Sequence, residues 1–202
     1  MLTLANELFH HGVKGQKWGV RRYQDYQGHH TELGRKRDRA RGNVFISGSS
    51  KMQDQSSTYY RSKLPAAIRK EINGYIRDKK KIIVGDAPGI DTAVQEYLAE
   101  KGYKKVVVYG TDHTRVNKGG WKEHISDGSK YKEGSDEWHR VKDQDMQNDA
   151  MEGLAVVLEK GGAKATRNNV KALINQNKKV KIYELRGSEV EKLDRWVEKL
   201  DD

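Results

Sequence analysis

The sequence contains no cysteine and only two prolines and two phenylalanines among its 202 residues. Without cysteine, a disulfide framework, a thiolate metal site and a cysteine nucleophile are all excluded. No apolar run approaches the roughly 18 residues that a membrane-spanning helix needs. The opening residues, MLTLANELFHHG, lack the basic start and long apolar stretch of a secretory signal. We therefore expect a cytoplasmic protein with no membrane partner, unless another assembly carries it.

Apolar residues are scarce as well, since 35% of the chain is hydrophobic and 34% is charged. The length suffices for one domain with a core and an appendage. Residues 1–42 hold three lysines and six arginines against four acids, a net charge of 9 − 4 = +5. This segment therefore carries half of the formal net charge of +10. Such a basic arm favours nucleic acid or an acidic protein surface as a partner, and a solvated, disordered tail is the alternative.

From residue 43 onward, short apolar segments alternate with amphipathic ones. Leu64, Ile68, Ile72 and Ile76 recur every four residues and predict a helix. Residues 111–136 are polar and without a period, which predicts a loop insertion. A last stripe, with Leu193 at its start and Leu200 at its end, predicts a C-terminal helix. Residues 43–202 are therefore predicted to form an α/β domain, a Rossmann-like three-layer sandwich with about five mostly parallel strands.

Three turns that follow predicted strands carry the residues of a binding site. They are SGSS (47–50), GDAPGID (85–91) and GGAKAT (161–166). Ligands of parallel sheets bind beyond the carboxyl ends of the strands, where glycine permits close approach and helix N-termini attract anions. The alternative is that small residues only make tight turns between packed layers. The predicted ligand-binding residues are Ser47, Gly48, Ser49, Ser50, Gly85, Gly89, Gly162, Lys164 and Thr166.

The acids of GDAPGID need a separate interpretation. Asp86 or Asp91 can cap the following helix, which is a sufficient structural account. If a nucleotide binds, a carboxylate repels phosphate and suits ribose hydroxyls or a base edge. The phosphate is then expected nearer SGSS or GGAKAT.

The predicted helix near residue 140 carries charges on its apolar arc. Lys142 and Asp145 lie on the same side as Trp138, three residues apart, and can pair. Either the helix is shifted in register or ends there, or its first turns line the site with Arg140, Asp143 and Asp145 as contacts or acid–base groups. His113, His124 and His139 show no metal-ligand spacing, so we expect no metal site and no cofactor.

From Val44 to Tyr183 the chain resembles the SLOG superfamily, which includes the lonely-guy phosphoribohydrolases and the Rossmann-like domain of the DNA-processing protein A family. The resemblance rests on FISGSS, IIVGDAPGID, KDQDMQNDAMEGLAVVLEKGGAKATRNNV and KKVKIYEL. It implies a Rossmannoid fold that binds a nucleotide or an NAD-like molecule. It also implies a homo-oligomer, because lonely-guy-like enzymes often build their sites across dimers.

The best-known enzymes of this superfamily cleave an N-glycosidic bond and use a PGGxGTxxE loop, which GGAKATRNN matches here. Ala165 stands in place of the glycine before Thr166, and Asn169 stands in place of the glutamate. An amide cannot serve as a general base or a carbocation-stabilising carboxylate. An N-glycosidic hydrolase acting on nucleotides or NAD would need another carboxylate, and the candidate catalytic residues are Asp86, Asp91 and Asp143.

The arm carries a second resemblance. HHGVKGQKWGVRRYQ is similar to a GVKGxKWGVRR-type motif of proteins encoded with phage head genes. This implies a phage or prophage product in the cytoplasm of a bacterial host, with association with the virion as a further expectation. Docking of residues 10–26 on a capsid or portal protein is one hypothesis for the motif.

Two classes of function follow. The leading hypothesis is a phage-related SLOG domain that binds a nucleotide or NAD-like small molecule at the carboxyl edge of its sheet, for sensing, sequestration or N-glycosidic cleavage. The alternative is a virion-associated or nucleic-acid-binding interaction protein that uses the basic arm. A structural capsid component with an empty pocket is a third reading. The sequence alone leaves open whether the chain is an enzyme.

Overall fold

Seven strands form one sheet in the order β4-β3-β2-β1-β5-β6-β7. The computed structural model describes residues 31, 42–50, 64–158, 164–186 and 189–193. The strands are β1 (Asn43–Gly48), β2 (Lys81–Gly85), β3 (Val106–Thr111), β4 (Lys122–Ser126), β5 (Glu152–Leu158), β6 (Lys179–Arg186) and β7 (Glu189–Leu193). All neighbouring pairs are parallel except β6 and β7. Strands β2, β3 and β4 lie in succession on one side of β1, and β5, β6 and β7 lie in succession on its other side. The direction of strand order therefore reverses between β1 and β5.

Four helices within these described residues cover both faces of the sheet. They are α1 (Ala66–Arg77), α2 (Ile90–Glu100), α3 (Asp136–Asp149) and α4 (Lys164–Asn175). Ile46 of β1 packs in one core with residues of α1 and α2, whereas the adjacent Phe45 packs with Met146 of α3 and Leu173 of α4. Successive residues of a strand point to opposite faces, which is why strands covered twice are continuously apolar. The predicted Rossmann-like α/β sandwich is confirmed.

Two strands differ from the sequence prediction. The stretch 111–136, predicted as a loop, contains β4, whose residues are mostly exposed because it forms an edge of the sheet. Leu193, predicted to begin a helix, ends β7 instead, which pairs antiparallel with β6 from Arg186↔Glu189 to Ile182↔Leu193. The backbone hydrogen bonds with β6 thus determine the conformation of this segment, although its apolar residues have a short helical spacing. The rest of that predicted helix, residues 194–202, lies outside the described residues, as does the predicted arm apart from residues 31 and 42.

Candidate functional site

A cavity of about 700 Å³ lies beyond the carboxyl end of β1, between α3 and α4. This is beside the point where strand order reverses, the usual ligand position in open α/β sheets. Its size falls within the range of small-molecule sites. Of the predicted site residues, Ser47, Gly48, Ser50, Asp91, Arg140, Asp143, Lys164 and Thr166 line it. Ser49, Gly85, Asp86 and Gly89 are absent from its lining, and Gly162 lies outside the described residues.

The turns after β1 and β2 touch each other, so SGSS and GDAPGID share one edge of the sheet as their parallel strands require. The Ile90 backbone N–H donates to the Ser49 carbonyl at 3.2 Å. Gly89 has φ 87°, and a Cβ on it would lie 2.4 Å from that same carbonyl oxygen. Gly89 therefore permits the close packing of the two turns.

Asp86 is buried next to the cavity without lining it, and Arg115 donates hydrogen bonds to both of its carboxylate oxygens. Arg115 donates to it from its backbone N–H at 3.0 Å, from Nε at 3.1 Å and from Nη2 at 2.9 Å. Burial would raise the pKa of Asp86, but the hydrogen bonds from Arg115 and the charge of Lys142 hold it below its usual value. Asp86 thus orients Arg115, which lines the cavity.

Asp91 lies in the first turn of α2 and is 7% exposed. Its hydrogen bond from the Ala87 N–H is long, at 3.4 Å. Burial, opposed by the charge of Lys142 and reinforced by that of Asp143, raises the pKa of Asp91 to about 7. A carboxyl pKa near neutrality is the property that a general acid or base needs.

Lys142 is the cation among these acids, and it is only 4% exposed. Its Nζ lies 3.7 Å from Asp86 Oδ1 and 3.4 Å from Asp143 Oδ1. Burial would lower the pKa of Lys142, but the surrounding acids, with Asp143 and Asp91 foremost, raise it. The buried ammonium therefore stays charged and fixes the acids around it. The i, i+3 pair of Lys142 and Asp145 does not form.

Asp145 belongs instead to a separate network between α3 and β4. Its Oδ2 accepts from Ser126 Oγ at 2.5 Å and lies 3.3 Å from His124 Nε2. The ring of His124 also stacks on that of Tyr109, with centroids 4.4 Å apart. None of these side chains lines the cavity, so they hold α3 against the sheet.

Asn169 connects α4 to the floor of the cavity. Its Nδ2 donates to Ser47 Oγ at 3.1 Å and to Asp143 Oδ2 at 3.3 Å, and its Oδ1 accepts from Gln147 at 2.7 Å. The side chain of Asn169 is buried at 4% exposure. The amide therefore sets the position of the Asp143 carboxylate.

The rim of the cavity carries two exposed cations. Arg140 on α3 is exposed, and Lys164 in the first turn of α4 is 78% exposed. Lys164 Nζ lies 3.9 Å from the exposed carboxylate of Asp136. His139 lines the wall below, where burial and the charges of Arg115 and Lys142 lower its pKa.

Arg115 lines the cavity but is not among the site residues predicted from the sequence, and the same holds for His139, Lys142 and Asn169. Arg115 lies in the aperiodic stretch between β3 and β4, which Gln95 of α2 holds in place. Gln95 donates from Nε2 to the Val116 carbonyl at 3.2 Å and accepts from the Lys118 N–H at 3.0 Å. A glutamine on the apolar face of a predicted helix needs hydrogen-bond partners when it is buried. Gln95 was therefore the signal in the sequence that a neighbouring loop is ordered against α2.

Within the described residues, no group of histidine, aspartate and glutamate side chains is arranged to hold a metal ion. The helices among these residues are also too short or too polar for any of them to cross a membrane.

Comparison with known proteins gives one match. A family model described as a family of unknown function (DUF7211) matches residues 2–25, which include the stretch GVKGQKWGVRR. No curated protein matches the chain, and no solved structure matches it. The matched residues lie outside the described part of the chain. The comparisons therefore say nothing about the cavity, and the evidence for a binding site there is its geometry.

Proposed function

We propose that the cavity binds a nucleotide or a nucleotide-derived small molecule, within a domain of the SLOG type. The phosphate lies at the amino end of α4, and the ribose lies over Asp91 and Asp143. The observation that carries the proposal is the arrangement of charge in one cavity. The exposed cations Lys164 and Arg140 lie on the rim, and the carboxylates of Asp91 and Asp143 lie on the floor beside the buried Lys142.

The rim supplies what a phosphate needs. The first-turn N–H groups of α4 have no partner within the helix, and its dipole favours an anion there. Lys164 and Arg140 add two exposed cations that line the same cavity. The long contact of Lys164 with Asp136 is between exposed side chains, and such pairs contribute little energy. Lys164 can therefore turn towards a phosphate at small cost.

The floor supplies what a ribose needs. Asp86 is committed to Arg115, whereas Asp91 and Asp143 line the cavity. Carboxylate oxygens accept hydrogen bonds from sugar hydroxyls and would repel a phosphate at the same place. The charges of Lys142 and Arg115 offset two of these three acids, which keeps the cluster stable while it remains acidic.

A second candidate function, N-glycosidic cleavage, is favoured by the contact of Asn169 with Asp143. By the resemblance, Asn169 stands where the superfamily enzymes have a glutamate. The Asp143 carboxylate, 3.3 Å away, offers the missing group from a neighbouring helix. In such a reaction water adds to the anomeric carbon, the glycosidic electron pair leaves with the base, and a proton passes from the water to the base. Asp143 would stabilise the positive charge that develops on the sugar.

Titration calorimetry with adenosine monophosphate, NAD and ribose 5-phosphate tests the binding proposal. We expect saturable binding by the wild-type chain and at least a tenfold loss in Ala165→Trp, which fills the cavity beside Lys164 and Thr166. Asn175→Trp, at the other end of α4, is the matched control and keeps the affinity. Absence of binding by all three compounds at millimolar concentration would overturn the proposal. Release of free base, lost in Asp143→Asn, would add the catalytic function.

A further inference from the structure

Five lysines gather at the amino edge of the sheet, the edge opposite the cavity. We call Lys79, Lys81, Lys101, Lys104 and Lys105 the amino-edge patch. Two precede or begin β2, two precede β3, and Lys101 follows α2. The strands β2 and β3 are neighbours, and their pairing places Lys81 beside Lys105. The side chain of Lys105 also reaches the carbonyl of Lys79, with Nζ 3.3 Å from the oxygen.

No ion pair with a described carboxylate offsets the charge of this patch, although the exposed Glu100 precedes Lys101 and Lys101 lies over the ring of Tyr97. All five lysines are exposed, and none forms an ion pair with a carboxylate in the part of the chain that the structure describes. The adjacent acid Asp78 pairs with Arg77, and Lys80 rather than a patch lysine pairs with Glu152. Like charges at neighbouring positions repel each other and destabilise the fold.

Helix dipoles explain only part of the patch. α1 and α2 both end at this edge, where a cation such as Lys79 or Lys101 complements the negative end of the helix. Lys79 nevertheless has φ 55°, a conformation that glycine or asparagine adopts at lower cost. Lys81, Lys104 and Lys105 stand at strand starts, where no helix end accounts for them.

We propose that the amino-edge patch binds the phosphodiester backbone of a nucleic acid. Closely spaced ammonium groups neutralise successive phosphates and release their counterions, which is the main source of sequence-independent affinity. An acidic protein partner would also need apolar or aromatic anchors. The exposed large apolar residues of the described chain, Ile125, Tyr131, Met151 and Ile174, lie outside the patch. The surface therefore fits a polyphosphate better than a polypeptide, and its residues belong neither to the cavity lining nor to residues 1–42.

The test measures binding of a fluorescent 20-base-pair duplex by anisotropy, with the full chain over a range of salt concentrations. The variant Lys81→Gln/Lys104→Gln/Lys105→Gln removes three patch charges. The matched control, Lys70→Gln/Lys130→Gln/Lys132→Gln, removes three exposed charges outside the patch, so both variants keep the arm and have the same net charge. We expect the patch variant to lose roughly tenfold or more in affinity, and its salt slope to decrease by about three, while the control stays within about twofold of wild type.

A second measurement needs no variant. Bound duplex should protect Lys81, Lys104 and Lys105 of the wild-type chain from acetylation and leave Lys130 and Lys132 reactive. Equal losses in the two variants, or no protection of the patch, would overturn the proposal. It would also be overturned if an acidic peptide of the same charge bound the patch while the duplex did not.

Discussion

Asn169 on α4 donates a hydrogen bond from Nδ2 to Oδ2 of Asp143 on α3, at 3.3 Å across the floor of the cavity. This contact joins the two helices that form the walls and fixes one carboxylate between them. Lys142 approaches the other oxygen of Asp143 at 3.4 Å. The carboxylate is therefore oriented from both sides before any ligand arrives, and such preorganisation lowers the cost of binding.

Asp143→Asn should weaken nucleotide binding roughly tenfold or more. A hydrogen bond to a charged acceptor contributes about 1.5–3 kcal/mol, and the amide has lost both the charge and one acceptor. Titration calorimetry with the best ligand measures the change. Asp145→Asn is the matched control, because Asp145 lies on the same helix but does not line the cavity and accepts from Ser126 instead. Equal affinities of the wild type and Asp143→Asn would contradict the proposed position of the ribose beside Asp143.

Arg115→Ala should destabilise the fold by about 3 kcal/mol, because it leaves the buried carboxylate of Asp86 without its main partner. Urea denaturation measures the free energy of unfolding. Lys118→Ala is the control, since its pair with Glu96 lies between side chains that are 44% and 51% exposed. Such a pair is worth about 1 kcal/mol or less. A loss below about 1 kcal/mol in Arg115→Ala would contradict the role given to this arginine.

Asp91→Asn should stabilise the protein at pH 8 more than at pH 5. Burial raises the pKa of Asp91 from 3.8 to about 7, so the folded state keeps a proton that the unfolded state releases. The stability from this proton is complete below about pH 4 and is lost as the pH rises towards 7 and beyond. The amide imitates the protonated acid at every pH.

We expect the difference in unfolding free energy between Asp91→Asn and wild type to grow by roughly 2–3 kcal/mol from pH 5 to pH 8. Urea denaturation at several pH values measures it, with the exposed Asp136→Asn as the control. A difference that stays constant with pH would show that Asp91 titrates as an ordinary carboxyl group.

Gly89→Ala should cost about 2 kcal/mol or more in unfolding free energy. Its φ of 87° strains any other residue, and the new Cβ would collide with the Ser49 carbonyl. Gly102→Ala is the comparison without a collision, because Gly102 has φ 61° and no atom within 4 Å of the added Cβ, whereas Gly89 also has ψ −126°, which adds backbone strain. Gly102→Ala should lose about 1 kcal/mol from backbone strain alone. Equal losses at the two positions would argue against close packing of the turns after β1 and β2.

The sequence was sufficient to predict the five central strands of the sheet and the edge at which the turns after them meet. Continuous apolar strands alternating with helices require parallel strands covered on both faces, and parallel strands bring the turns after them to one edge. The contact between Ser49 and Ile90 is a direct consequence. The edge strands β4 and β7 were missed because their residues have little apolar pattern and pair through the backbone.

The partners of the charged residues could not be predicted from spacing. Lys142 was recognised as a charge on an apolar arc, but helix geometry offered Asp145 as its partner. The structure gives it Asp86 and Asp143 instead, and Asp86 comes from a loop more than 50 residues earlier in the chain. Arg115 comes from an aperiodic stretch that only tertiary contacts bring to the site. Contacts between side chains of three different elements produce no periodic pattern in the sequence, so sequence spacing could not predict them.

The most direct test of the account is mass spectrometry of the small molecules released when the purified full chain is denatured. The cavity is predicted to retain a compound with a ribose and a phosphate, and Ala165→Trp is predicted to release much less of it than Asn175→Trp. The account would be contradicted if the wild-type chain released a compound without a ribose phosphate. It would also be contradicted if a released nucleotide were retained equally by both variants.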